Sequence, residues 1–142
     1  MIAEMKHLVR EKTICVLATI AENKPYCSLM AYAANTDGTE IYMATLRSTR
    51  KFGNLSRNPA VSLMIDTRED GSRSQARALT VEGTCAPIKD AGKQQLVRTQ
   101  LLATHPHLKD FLAHSDIELL CVTIKSFLLL KGLTEAHYAA LD

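Results

Sequence analysis

Apolar side chains recur along this chain with a period that changes several times. Over Met1–Lys12 they fall at Ile2, Met5, Leu8 and Val9, helical spacing that predicts a short amphipathic helix. Thr13–Ala21 is a β-branched, nearly continuous apolar run and predicts a buried strand. Glu22-Asn23-Lys24-Pro25 reads as a turn, and Tyr26–Ala34 returns as a second strand. Its alternation puts Tyr26, Ser28, Met30 and Tyr32 on one face and Cys27, Leu29, Ala31 and Ala33 on the other. Asn35-Thr36-Asp37-Gly38 is a hairpin turn, because Asp-Gly supplies the positive φ such turns demand. Thr39–Thr45 is a third strand, and the short connections predict that the three form an antiparallel meander.

Thr49–Arg57 is predicted as a helix with Phe52 and Leu55 inward, Ser48 or Thr49 as its cap, and Asn58-Pro59 as its stop. Ala60–Thr67 is a fourth strand, Arg68–Gln75 a polar loop, and Ala76–Ile88 a fifth strand in which Gly83 marks a bulge or bend. Asp90 caps a helix running to about Thr104, and Pro106–Ala113 is a second short helix. Asp116–Lys125 and Ser126–Lys131 supply one or two last strands, and Thr134–Leu141 is predicted as a terminal helix. Six or so strands with antiparallel links and few helices indicate a barrel-like α+β fold. With no repeat or linker, residues 1–142 read as a single domain.

Composition narrows the function classes. No apolar run reaches the roughly 20 residues of a spanning helix, and Met1–Lys12 is polar where a secretory signal would be apolar. The expectation is a cytoplasmic protein acting neither on membranes nor on nucleic acid, since 17 basic residues face 15 acidic ones. The average hides an asymmetry. Residues 47–77 carry seven basic and three acidic side chains, which suits a small anionic ligand or simply a solvated basic face. Cys15, Cys27, Cys85 and Cys121 are widely spaced in apolar runs and read as buried, reduced thiols. His105, His107 and His114 have no carboxylate or thiol beside them at ligand spacing, so no metal site is assigned.

The six glycines form neither a dinucleotide-binding nor a P-loop motif, and the nucleophile-elbow and zinc-hydrolase signatures are absent. One segment breaks a local rule. Arg50 and Lys51 fall in the first turn of the 49–57 helix, with Arg47 just before it, and a helix dipole disfavours cations there. Three cations, the hydroxyls of Ser48 and Thr49 and the free N–H groups of a helix start converge at one point. A phosphate bound there would reverse the sign of the penalty. A flat ring attached to it could lie along the strand that ends at Thr45.

The stretch Tyr42–Leu63, with its Lys51…Asn54-Leu55…Asn58-Pro59…Val61-Ser62-Leu63 spacing, resembles the signature of the pyridoxamine 5′-phosphate oxidase-like, FMN-binding split-barrel family. The preceding hairpin, the Val81-Glu82-Gly83 strand and the late helix pair also fit, so the resemblance spans nearly the whole chain. It implies an antiparallel split β-barrel of six or seven strands with flanking helices. It further implies a homodimer holding FMN without a covalent bond in two interface clefts. By resemblance Arg50 and Lys51 hold the phosphate with Ser48 and Thr49, and Ala44, Thr45 and Leu46 line the isoalloxazine through their backbone. Cys27, Ser28, Leu29 and Met30 give further flavin contacts, and the Gln75–Ala78 segment, with Gln75 and Arg77, reaches the cleft from the partner subunit.

The departures are specific. Where true pyridoxamine phosphate oxidases carry an arginine and a lysine on the second strand, this chain has Cys27 and Tyr32, and a usual glutamine falls at Ala78. No tryptophan is present at all. These differences point away from vitamin B6 phosphates and towards a smaller relative, an FMN-dependent oxidoreductase acting on another small molecule or electron donor. No acid or base is assigned; Tyr32, Cys27 and Arg77 are cleft candidates only. The alternatives are a non-catalytic flavin carrier, a deazaflavin-binding relative, or a haem-binding relative using His105, His107 or His114.

Overall fold

The computed structural model describes residues 1–142. Helix α1 (Ile2–Glu11) buries Met5, Leu8 and Val9 as the periodicity predicts, while Ile2 stays partly exposed. Strands β1 (Ile14–Ala21) and β2 (Lys24–Ala31) form a hairpin in full register, Ile14 opposite Ala31 through Ala21 opposite Lys24. Its turn is only Glu22-Asn23, both left-handed at φ 51° and 65°, the pair of positive angles that a two-residue turn between twisted strands requires. Pro25 therefore lies inside β2, tolerated because β2 is an edge strand.

The chain breaks at Tyr32 and resumes as the two-residue β3 (Ala33–Ala34), which pairs with β4 (Glu40–Leu46). The predicted meander is corrected here. Apart from those two rungs, β4 pairs not with its predecessor but with β7 (Ile117–Lys131), all the way from Glu40–Thr123 to Leu46–Ile117. Strand β5 (Ala60–Asp66) joins β1 to β6 (Arg77–Pro87), and β6 joins β7. The order β2-β1-β5-β6-β7-β4-β3 curls round until β3, the continuation of β2, meets β4. Counting β2 and β3 as one interrupted strand, it is an antiparallel split barrel of seven strands with four helices.

Met30, Leu17, Met43, Leu63, Val81 and Phe127 fill the barrel interior, closed by α1. Strand β4 is buried on both faces, because helix α3 (Ala91–Thr104) and the short α4 (Lys109–Leu112) cover its outer side with Val97, Leu101 and Leu112 against Tyr42 and Leu119. Asp90 caps α3 as predicted, its carboxylate accepting from the Lys93 amide at 2.8 Å.

The tail departs from its prediction. Residues 134–141 form no helix; β8 (Glu135–Ala140) pairs with Ser126–Lys131 of β7 after a turn at Gly132, φ +61°. Their alanine, leucine and glutamate content favours a helix, but β4 satisfies only the first half of β7's free edge. The second half needs a strand to meet its N–H and C=O groups. Of the one or two strands predicted over 116–131, the chain forms one, of fifteen residues.

Gly83 sits at the predicted bulge, where the register slips between Glu82 and Gly83. A Cβ there would lie 2.3 Å from the Thr123 carbonyl oxygen. Gly83→Ala should therefore cost about 2 kcal/mol or more in chemical denaturation. Gly53→Ala, in α2 with nothing within 4 Å of its Cβ, should instead stabilise by about 0.5–1 kcal/mol. Equal effects at the two positions would contradict the bulge assignment.

Glu4 of α1 accepts from Arg77 at 2.9 Å and Lys131 at 3.2 Å, joining the helix to the ends of β6 and β7. Arg77 first, then Lys131, holds its carboxyl below the ordinary value of 4.5. The stability this supplies is present above pH 4.5 and is lost as pH falls through the lower folded value. Glu4→Gln should thus lower stability by about 1 kcal/mol at pH 7 and leave a shallower loss below pH 4.5. Asp66, lowered by Arg68, keeps part of that slope. An unchanged pH profile would show the link to be idle.

Candidate functional site

The register leaves a gap in the barrel wall. Strand β2 pairs with β1 on one side only, and β4 beyond Tyr42 pairs with β7 on one side only. Cys27–Met30 and Ala44–Leu46 therefore run along two open strand edges on either side of the split. Helix α2 (Arg50–Arg57) follows the end of β4 and lies against β1. Its cap is Thr49, one of the two predicted candidates. The Thr49 hydroxyl accepts from the Phe52 amide at 3.3 Å, donates to the Leu46 carbonyl at 2.8 Å and meets the Thr45 hydroxyl at 3.1 Å. Phe52 and Leu55 face the core as predicted, and so does Asn54.

The three predicted cations do not all converge. Arg47 turns to β7, where its Nε donates to Glu118 at 3.2 Å and its guanidinium lies 3.8 Å from Asp116. Asp116 also accepts from the Ser48 amide at 3.2 Å. Arg47 is thus neutralised, and Ser48 is exposed with its amide occupied. Arg50 and Lys51 pair with no carboxylate. Their own backbone N–H groups, in the first turn, have no acceptor within the chain. Two free cations and two free amides remain at the α2 start, and that set suits a phosphate. Asp116 and Glu118 carried no local signal in the sequence, being about seventy residues from the cations they meet.

Of the other predicted residues, Thr45 is 1% exposed, so only its backbone borders the split, and Ala44 and Leu46 are half-buried. Ser28 and Met30 point into the barrel beside Leu17 and Cys15. Cys27 and Leu29 point outward, and Cys27 is exposed, which corrects its assignment as a buried thiol. The face it occupies has no covering helix. Cys15 and Cys85 are buried, and burial pushes both thiols up to about 12; Cys121 is half-buried and pushed up to about 11. Gln75 is exposed in the 68–76 loop, and Arg77 is engaged by Glu4. The seven residues of β5, about 20 Å of strand, separate them from the end of α2, so one chain does not bring them to Arg50.

The split is not an enclosed cavity. Two clefts, of about 390 and 470 Å³, lie on the outward face, the first among Ile14, Leu29, Met64 and Arg68 and the second among Ile20, Ser62, Glu82 and Lys125. Among the cleft candidates, Tyr32 is buried, its hydroxyl donating to the Val9 carbonyl at 2.9 Å, and burial pushes its pKa far up. It is a core residue. His105 is buried with Nε2 3.0 Å from the Tyr32 carbonyl, while His114 accepts from the Asp116 amide and is otherwise exposed.

Comparison with known proteins accords with this architecture. No curated protein matches the chain. Among solved structures, a FAD-binding protein of Mesorhizobium loti superposes with a TM-score of 0.74 at 17% identity, covering 89% of this chain and 91% of its own. The haem storage protein of Vibrio cholerae gives 0.75 at 21%, covering 92% and 93%. A haem-binding protein of Mycobacterium smegmatis gives 0.83 at 16%, covering 96% of this chain but only 56% of that one. At such identities these likenesses speak for the fold. The pattern of the pyridoxamine 5′-phosphate oxidase family matches residues 1–131, which takes in the split, both of its strand edges and the whole of α2. The chain belongs to the pyridoxamine 5′-phosphate oxidase family.

Proposed function

We propose that this chain is an FMN-binding flavoprotein that works as a homodimer and serves as an oxidoreductase for a small molecule or electron donor. The observation that carries the reading is the α2 start, where Arg50 and Lys51 have neither carboxylate partners nor occupied amides. A phosphate there would meet charge-assisted donors, and Asp116 and Glu118 remove only Arg47 from the set. A flavin ring joined to that phosphate would lie along the split, with Ala44, Thr45 and Leu46 on one edge and Cys27, Ser28, Leu29 and Met30 on the other. When bound, the flavin supplies reversible electron uptake, and the protein supplies the phosphate anchor and the two open strand edges along which the ring would lie. Cys27 and Tyr32 stand at the two positions where true pyridoxamine phosphate oxidases carry an arginine and a lysine, and neither brings a cation to the split, which supports a substrate other than a vitamin B6 phosphate.

Dimerisation is proposed from the outward face of the sheet. The register lines up Leu29, Val16, Met64, Thr80, Leu128 and Tyr138 in one row across β2, β1, β5, β6, β7 and β8. Leu29 is 76% exposed and Tyr138 69%, and no helix covers the row. A second copy of the chain is the occupant we assign, since Gln75 and Arg77 lie too far from Arg50 to serve the same cleft within one chain. Haem is the second reading, favoured by the names of two structural neighbours. Of the three candidate histidines, His105 uses its Nε2 on a backbone carbonyl, and His107 and His114 are exposed.

The absorption spectrum of the freshly purified protein separates these readings. Two flavin bands in the near-ultraviolet and blue support FMN, a Soret band supports haem, and a colourless protein that fails to take up FMN contradicts both. Arg50→Ala combined with Lys51→Ala should weaken FMN binding by about 3 kcal/mol, roughly a hundredfold, by fluorescence titration. Unchanged affinity in the folded double variant would refute the phosphate assignment. Leu29→Glu with Met64→Glu should convert the dimer to a folded monomer by sedimentation, and a dimer that survives both would move the interface elsewhere.

A further inference from the structure

Helix α2 is keyed to a single rung of the β1–β2 hairpin. Asn54, 3% exposed, donates through Nδ2 to the Thr19 hydroxyl at 3.1 Å. Thr19, itself 1% exposed, is directly opposite Tyr26, so the two side chains stand side by side on the same face of the hairpin. Arg50 is one turn N-terminal to Asn54, on the same helix face, and its guanidinium lies 5.0 Å from the centre of the Tyr26 ring. One helix rung, Arg50 and Asn54, therefore meets one sheet rung, Tyr26 and Thr19. The buried hydrogen bond fixes the rotation of α2 about its axis, and the ring fixes where the Arg50 head can go.

We propose that Tyr26 and Asn54 are positioning residues of the anion site, holding the Arg50 guanidinium ready at the helix start before any ligand arrives. Arginine loses much side-chain freedom when it is fixed, and a ring beneath it removes that cost from the binding step. Lys51 has no such support, so the two cations divide the work. Arg50 is a preset, planar donor, and Lys51 is a mobile charge that closes on the phosphate. The arrangement also ties the anchor to β2, one of the two strands that border the split. The inference rests on the FMN reading and assigns two residues that reading does not use.

Two measurements test it, one with ligand and one without. In the ligand-free protein, the Arg50 side-chain protons should show upfield ring-current shifts by NMR in the wild type and in Tyr26→Phe, and none in Tyr26→Leu. Titration with FMN and with riboflavin should then show Tyr26→Leu binding FMN about tenfold more weakly with riboflavin affinity unchanged, and Tyr26→Phe restoring the wild-type value. Asn54→Leu, which keeps the volume and adds no charge but loses the hydrogen bond to Thr19, should lower FMN affinity in the same selective way. Absence of the ring-current shift in the wild type, a Phe variant as weak as the Leu variant, or equal losses for both ligands would each overturn the proposal. A wild type that shows the shift yet binds FMN no better than riboflavin would overturn the FMN reading and this positioning role together.

Discussion

Strand β7 is fifteen residues long, and the barrel is arranged around the need to satisfy both of its edges. Strand β6 takes one edge along nearly its whole length, slipping register at Gly83 to follow it. The other edge is divided, β4 covering Ile117–Thr123 and β8 covering Ser126–Lys131. The other edge of β4 meets the β2–β3 strand at only two rungs, Ala33–Tyr42 and Ala34–Ile41. The wall of the barrel is therefore open between β2 and β4, and the opening follows from backbone pairing alone.

Helix α2 starts at the end of that opening. Its sequence places cations where the peptide dipoles are already positive, an arrangement that a protein tolerates at small cost in water and that becomes favourable with an anion bound. The surroundings narrow the charge rather than adding to it. Asp116 and Glu118 remove Arg47, and Tyr26 takes the Arg50 side chain against its ring. What remains at the helix start is two cations without carboxylate partners and two amides without acceptors, the set on which the phosphate proposal rests. The outward face of the same sheet is open, and its row of apolar side chains begins at Leu29 on β2, the strand that also borders the split.

Features set by neighbouring residues were legible in the sequence. The Thr49 and Asp90 caps, the turn at Asp37-Gly38, the bulge at Gly83 and the apolar stripe of α1 each depend on a few adjacent positions, and each lies where the pattern places it. Features set by distant pairing were not. The tail became β8 because β7 had an unmet edge, and no local property of Thr134–Leu141 announces that. Arg47 and Arg77 looked like free cations until β7 brought Asp116 and Glu118 to one, and α1 brought Glu4 to the other. Cys27 looked buried because its strand alternates, but alternation gives the face and not whether the face is covered.

The central claim is that an FMN phosphate seats at the start of α2 with its ring along the split. Amide chemical-shift mapping by two-dimensional NMR during FMN titration tests it most directly. The account predicts the largest shifts at Arg50 and Lys51, with further shifts along Ala44–Leu46 and Cys27–Met30. Shifts confined to the outward cleft around Ile14, Met64 and Arg68, with the α2 amides unmoved, would contradict it.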